Sequence, residues 1–416
     1  MPWRETRAVD ERTRFVLAAA AGDEPMAAVC RQFGISRQNG YKWLERWRRD
    51  GVAGLFDRSR APLGHPGEVA AELVEACLAV RRAHPTWGPV KVRAFLARQG
   101  PEREGPERAL PAASTIGALF DREGLTVKRR TRRRGPPGGP LFAAAAANDV
   151  WSIDFKGWFR TGDGVRVDPL TLCDASSRYL LRCQTVAKPG TAHVWPILDA
   201  AFREYGLPLR LRSDNGPPFA TVGVGGLSRL AVLVIKAGVT PERIRPGKPQ
   251  ENGRHERMHL TLLQDVASPP AATLRAQQQR FVRFRADYNA ERPHAALDNA
   301  TPAERYAPSP RRWDGILRHP EPPAGAVLRR VRRNGVIKWQ GAEVFFGEAL
   351  IGEPVALLEA EDGRWTVAFG PVRLGVLDPR GRRLQRLRKE AVDPVDNAPR
   401  CPQGPQRNHN SGPEHR

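Results

Sequence analysis

The sequence predicts an α/β core preceded by helical modules and followed by a small β domain. Three observations carry that expectation. The chain has 416 residues, which at roughly 100 to 200 residues per domain means several folded units. From Asp149 onward strand-like runs alternate with helix-like ones, as in a layered α/β domain. After residue 325 only short strand-like runs remain, at turn spacing.

The first part, residues 1–62, reads as a helix-turn-helix module. Residues 11–21 have helical character, and Glu24 to Trp47 then places apolar Val29, Phe33, Ile35 and Trp43 around a turn at Gly34-Ile35-Ser36. Ser36 can cap a second helix that carries Arg37, Gln38, Asn39, Lys42 and Arg46, the polar set such a helix offers to a major groove. Gly40 sits inside that helix at a cost of about 1 kcal/mol against Ala. Residues 63–127 predict a second small helical, winged-helix-like unit. Its first stretch is Val69 to Leu96, broken by the turn Pro85-Thr86-Trp87-Gly88, and Ser114 can cap a last helix bearing Ile116, Leu119 and Phe120.

Charge narrows the partners. Lys and Arg number 67 against 45 Asp and Glu, a net charge of +22. Such an excess suits nucleic acid phosphate or an anionic membrane surface. No apolar run approaches the 18 or more residues of a spanning helix, and neither Phe15 to Ala21 nor Ala143 to Ala147 follows a basic start as a signal peptide would. Residues 128–147 begin with the cationic Lys128 to Arg134 and run into a Gly/Pro stretch, a linker composition. Further breaks are expected at Arg58 to Gly67 and at Ala307 to Ala324, and residues 387–416 read as a disordered tail. Cys30, Cys77, Cys173, Cys183 and Cys401 form no C-x-x-C pair and suit reduced packing roles.

Residues 148–310 carry the chemistry. In Trp151-Ser152-Ile153-Asp154-Phe155-Lys156 large apolar residues alternate with polar ones, predicting a half-buried strand with Asp154 opposite Ile153 and Phe155. Strand-like runs follow at Leu170 to Cys173 and Tyr179 to Val186, then a helix at Ala192 to Tyr205. Leu207 to Arg212 alternates again, so that Asp214 falls at a strand end. A helix from about Gly226 to Lys236 and a loop, Arg245 to Gln250, precede Asn252-Gly253, which opens a helix bearing Glu256. Asp154, Asp214 and Glu256 are hard oxygen ligands of the kind Mg²⁺ prefers. Two such ions about 3.5 to 4 Å apart drive phosphoryl transfer.

Asp154-Phe155-Lys156-Gly157, Ser213-Asp214-Asn215-Gly216 and Pro249-Gln250-Glu251-Asn252-Gly253-Arg254-His255-Glu256-Arg257 resemble the three signatures of the DDE insertion-sequence transposases, whose core is similar to retroviral integrase. Tyr288-Asn289, Arg292-Pro293-His294, Ala296-Leu297 and Thr301-Pro302-Ala303-Glu304 match the segment that closes that core. The resemblance runs from about residue 11 to 306. It implies a ribonuclease H-like fold, a mixed five-stranded sheet with flanking helices, and Asp154, Asp214 and Glu256 as the metal-binding catalytic triad. The interval from Asp214 to Glu256 is longer than the family usually shows, and Glu251 lies closer to the usual spacing. Glu256 is preferred because it stands in the Asn-Gly-x-x-Glu-Arg context within the helix, and the loop Val222 to Gly226 accounts for the extra length. Asp174 is a weaker, more structural candidate. The resemblance further implies Mg²⁺, with Mn²⁺ as substitute, double-stranded DNA at the element's inverted repeats and at the target, a homo-multimer on DNA, and a cytoplasmic, nucleoid-associated setting. Arg212, Lys248 and Arg257 are candidate phosphate contacts.

Two other readings stand beside this one. His255-Glu256-Arg257-Met258-His259 is a literal H-E-x-x-H, the zinc-hydrolase pattern, though no Glu follows before Glu291 to complete the site. A non-catalytic DNA-binding protein that keeps the core as scaffold is the other. Residues 325–386, with strands at Val336 to Trp339, Val344 to Phe346, Val355 to Leu358, Trp365 to Phe369 and Leu374 to Leu377, suggest a small β-barrel or SH3-like domain with Arg329, Arg330, Arg332 and Arg333 at its entrance.

Overall fold

The computed structural model describes residues 8–57, 69–99, 109–126, 142–245, 252–360, 363–377 and 383–385. The chain divides into two compact units, one ending at Val69 and the other beginning at Ala70.

The first unit packs α1 (Ala8–Ala21), α2 (Met26–Gln32) and α3 (Arg37–Asp50) around Phe15, Val16, Val29, Cys30 and Leu55. Gly34 takes φ 65° in the turn between α2 and α3, a conformation that favours glycine. Ser36 caps α3, its hydroxyl accepting from Asn39 N at 3.3 Å. Gly40 has a packing reason: a Cβ there would lie 2.5 Å from Cys30 Sγ and 3.0 Å from Phe15 Cζ. The helix propensity it gives up is the condition for α3 to approach its neighbours.

The second unit opens with α4 (Ala71–Ala83), α5 (Pro89–Gln99) and α6 (Ala113–Arg122), joined through Cys77, Leu78, Trp87, Val92, Leu96, Ile116 and Phe120. The N-cap of α6 is Ala112 rather than Ser114, which lies within the first turn and makes no cap. The following core is a mixed sheet of six strands. They are β1 (Val150–Phe155), β2 (Phe159–Arg160), β3 (Arg166–Asp174), β4 (Leu180–Val186), β5 (Arg210–Ser213) and β6 (Thr240–Arg243). β3 pairs antiparallel with β1 and β4, while β5 runs parallel to β1 and β6. Two-residue β2 takes up the β3 ladder where β1 leaves it, Phe155 facing Leu170 and Phe159 facing Val167. The expected five strands are thus present, prolonged by this short piece; β6 had no signal in the alternation.

Helices cover both faces. Trp151, Ile153, Leu170 and Leu172 meet Val194, Leu198 and Phe202 of α7 (Thr191–Tyr205) and Leu230 and Val234 of α8 (Arg229–Lys236). Cys173, Leu180 and Cys183 on the other face meet Met258 and Leu262 of α9 (Gly253–Leu262) and Phe281, Phe284 and Tyr288 of α10 (Leu274–Ala290). β1 is therefore buried on both faces and not half-buried, because Ser152 also lies inside. Cys30, Cys77, Cys173 and Cys183 are all free and buried, whereas Cys401 lies outside the described residues.

Two expected breaks are docked chain. Residues 307–324 form no helix or strand, yet Ser309 N donates to Tyr205 O, Leu207 N to Arg311 O, and Trp313 Nε1 to Asp199 Oδ1 at 2.7 Å. Phe142, near the end of the expected linker, donates its N–H to Glu242 and lies beneath the Arg210 guanidinium, 4.3 Å from ring centroid to Cζ. The rest of that linker through residue 141, the break at 58–67 and the tail from 387 lie outside the described residues.

The C-terminal part is an antiparallel sheet in the order β13-β12-β11-β10-β7, with a separate hairpin of β8 (Val336–Trp339) and β9 (Ala342–Phe345). Its strands are β7 (Val327–Arg330), β10 (Pro354–Glu359), β11 (Trp365–Phe369), β12 (Val372–Leu377) and β13 (Leu384–Gln385). Among the described residues β7 and β13 do not pair. The C-terminal part shares one hydrophobic core with α8, where Ala231, Val232 and Ile235 meet Trp339, Phe346, Val355 and Phe369.

Candidate active site

The parallel pairing of β1 with β5 sets the geometry. Ser152 faces Arg212 in register. Two residues further along, Asp154 shares the Ser152 face of β1, and Asp214 stands one residue past the C-terminal end of the adjacent β5. α9 lies on this face, because Ser152 Oγ meets His255 Nδ1 at 2.8 Å and Asn252 Nδ2 donates to Asp154 Oδ2 at 2.9 Å. Glu256 follows His255 and is exposed.

The carboxyls crowd one another. Burial pushes Asp154 up to about 7, and the Asp214 charge and then that of Glu256 add to the effect, against hydrogen bonds from Phe155 N–H and Asn252. Burial raises Asp214 as well, opposed by the Gly216 N–H that donates to Asp214 Oδ1 at 3.2 Å. Carboxylate oxygens of this kind are the donor chemistry of a hard divalent cation. Glu256 lies within electrostatic reach of Asp154. Among the described residues no group of three His, Cys, Asp or Glu stands close enough to hold one ion.

The H-E-x-x-H histidines do other work. His255 and His259 are buried, with pKa values pushed down by burial to about 3 and about 2. Both Nε2 atoms meet the single hydroxyl of Thr171, at 2.6 and 2.7 Å, and that hydroxyl also donates to Asp154 O at 3.1 Å. The tautomers follow from which acceptor takes the single Thr171 hydrogen. A hydroxyl has one hydrogen, so once it goes to the Asp154 carbonyl both imidazoles must donate from Nε2. His255 Nδ1 then accepts from Ser152, and His259 Nδ1 faces Asp154 Oδ2 at 4.0 Å. The imidazoles point into the core while Glu256 points out, an arrangement that cannot make a shared zinc site. They pin α9 to β1 and β3 instead.

The remaining candidates separate. Asp174 is buried and accepts from Asn148 N and Ser177 N, each at 2.7 Å, and from Ser177 Oγ at 2.6 Å, which makes it the organiser of the β3–β4 turn. Arg212 is no phosphate contact: it is buried, bonded to Glu242 at 2.6 Å and donating to Phe142 O at 2.8 Å. Arg257 is exposed beside Glu256, whereas Lys248 and Glu251 lie outside the described residues. On α3, Arg37, Gln38, Asn39 and Lys42 are exposed, Ser36 spends its hydroxyl on the cap, and Arg46 lies over the Trp43 ring at 5.1 Å.

Sequence reasoning missed Tyr41, which is 59% exposed on the same helix, and the polar brace of Ser152, Thr171 and Asn252. The brace had a signal: Ser152 and Thr171 are hydroxyl residues inside strands of otherwise large apolar side chains.

Two matches describe an integrase core domain, over residues 144–249 and 237–302. A helix-turn-helix domain matches residues 11–62, a homeodomain-like domain 39–120, and the C-terminal domain of the IS481 family transposases 326–385. An uncharacterized 31.7 kDa protein of insertion element IS407 from Burkholderia multivorans is 30% identical over 244 residues, 58% of this chain and 81% of its own length. An uncharacterized 39.2 kDa protein of insertion element IS476 from Xanthomonas euvesicatoria is 26% identical over 73% of this chain and 89% of that one. The catalytic core domain of BIV integrase is 20% identical, covering 38% of this chain and 92% of that one with a TM-score of 0.29. No described helix is long and apolar enough to cross a membrane.

Proposed function

Because the chain belongs to the insertion-sequence transposases with an integrase-like core, we propose that it cuts and joins DNA at Asp154, Asp214 and Glu256. What supports this reading is that Asp214, just past the end of the β5 strand parallel to β1, and Glu256 on α9 both lie near enough to raise the Asp154 pKa.

Each residue has a task. Asp154 and Asp214 would hold the divalent ion, and Glu256, carried on the braced α9, would complete the set. When bound, Mg²⁺ offsets the carboxylate charge and supplies Lewis acidity to phosphoryl transfer. The Asn252 amide orients Asp154, and the Gly216 N–H orients Asp214. Thr171, His255 and His259 fix the height of α9 above β1, while Arg257 meets the scissile strand's phosphate. Water breaks one phosphodiester at each element end and frees a 3′-hydroxyl. That hydroxyl then attacks a target phosphodiester, one P–O bond forming as another breaks.

Recognition falls to the helical modules. Arg37, Gln38, Asn39, Lys42 and Arg46 on α3 read the terminal inverted repeats, and copies of the chain bridge the two ends. The setting is the cytoplasm, against the nucleoid. The test incubates the full chain with DNA carrying its own gene and both flanks in Mg²⁺ or Mn²⁺ and maps every nick. Nicks paired at inverted repeats, lost in Asp214→Asn, support the reading; binding without nicks turns it toward a DNA-binding scaffold.

A further inference from the structure

Beside α9 lies a cluster of cations, with Asp265 within reach of Lys91 and Arg292, and Asp174 within reach of Arg178. Lys91 of α5, Arg257 of α9 and Arg292, just past α10, lie within electrostatic reach of one another, and Asp265 is the carboxylate they share. Arg292 is buried and bonds Asp265 at 3.1 Å. Among the described residues no ion pair reaches Lys91. His294 adds its ring to the same cluster, edge-on to Tyr288 at 4.8 Å, with Lys91, Arg292 and Arg178 as its cationic neighbours.

A second observation is independent of charge. Arg178 Nη1 and His294 Nε2 are both buried and have no hydrogen-bond partner. Such groups cost free energy when left unmade, and fixed backbone holds these two in place. Arg178 has φ 66° in the β3–β4 turn, and His294 N donates to Ala300 O. α5 is fastened to the same region, Arg98 bonding Glu304 at 3.9 Å and the Asn299 carbonyl. The electrostatic consequence is visible at Lys91, which burial and then Arg292 and Arg257 push down to about 7. Arg292 is buried, Lys91 and Arg178 are half-buried and Arg257 is exposed, and the idle Arg178 Nη1 donor offers an entering anion a charge-assisted hydrogen bond.

We propose that Lys91, Arg178, Arg257 and Arg292 form a phosphate-binding site, shared between the α4–α6 module and the core, that grips a DNA backbone phosphate next to Glu256. Identifying the anion as DNA rests on the strand-transfer reading above, whereas the anion site itself does not. A phosphate here ties the helical module and the acidic helix to one strand and so sets which phosphodiester reaches Asp154.

The test uses the full chain and Lys91→Met, which keeps the buried methylenes and removes the charge. Thermal unfolding is recorded in sodium chloride and in inorganic phosphate at equal ionic strength, and duplex affinity is recorded against salt. The expected result is a variant that melts higher than wild type in chloride, gains less from phosphate, and shows a salt slope shallower by about one. Equal phosphate increments in the two proteins overturn the site. A lost increment with an unchanged salt slope overturns DNA as its occupant. Asp154→Asn, run alongside, is expected to lose strand joining and keep the phosphate increment. Failure of the carboxylate reading therefore shows in joining, and failure of the anion site shows in melting.

Discussion

Replacing Thr171 by Val keeps the shape of a fully buried side chain and removes one hydroxyl. Two imidazole nitrogens lose their partner, Nε2 of His255 and Nε2 of His259. An orphaned buried donor costs about 1 to 3 kcal/mol, so two give about 2 to 6 kcal/mol. His255 can recover part by moving its proton to Nδ1 and donating to Ser152, which leaves an acceptor idle at Nε2 and brings the expected loss to about 2 to 4 kcal/mol. Thr171→Ser keeps the hydroxyl and gives up one buried methyl, worth about 1 kcal/mol. Urea unfolding of the full chain, read by hydrogen exchange in peptides from β1, β3 and α9, confines the measurement to this brace. Strand joining should fall with Val and persist with Ser, because α9 carries Glu256. If Val matches wild type within about 0.5 kcal/mol, the proton assignment around Thr171 is refuted.

Gly40→Ala gains about 1 kcal/mol of helix propensity yet should destabilise the first unit, since overpacking costs about 1 to 3 kcal/mol and the new Cβ meets Cys30 Sγ. In a Cys30→Ala background the same change should cost less, as calorimetry of both pairs will show. Arg212→Met strands Glu242 inside and should cost about 3 to 5 kcal/mol by denaturant titration, without altering the salt dependence of DNA binding. Lys91 has its folded pKa pushed from 10.5 to about 7, so the unfolded chain holds more protons between those values and stability rises with pH across that window. Unfolding midpoints of Lys91→Met between pH 7 and 10.5 should lose this rise; a slope as steep as that of wild type contradicts the burial of the charge.

The strands and helices that position the carboxylates were legible because their signals are local. Apolar periodicity marks β1, α7 and α8, Ser36 marks the start of α3, and the Asp-Asn-Gly turn marks the end of β5. What stayed hidden depends on contacts distant in sequence. β6 reads as Thr-Pro-Glu-Arg and is a strand only because β5 offers a parallel edge. Residues 307–324 carry the composition of a linker, and their order comes from Tyr205, Leu207 and Asp199. Arg212 looked like a phosphate contact beside Asp214 because a sequence does not reveal that Glu242 stands beside it. The two histidines spelled a zinc motif, and Thr171, far upstream, gives them another task.

The most direct test of the account is strand joining by the full chain, using an end oligonucleotide already cut to expose its 3′-hydroxyl and a plasmid target in Mg²⁺. The account predicts a covalent product for wild type that vanishes when the end is a 3′-dideoxy oligonucleotide. It predicts the same loss for Asp154→Asn, Asp214→Asn and Glu256→Gln, with DNA affinity unchanged in all three. Product formed by any of these variants at the wild-type rate would contradict it.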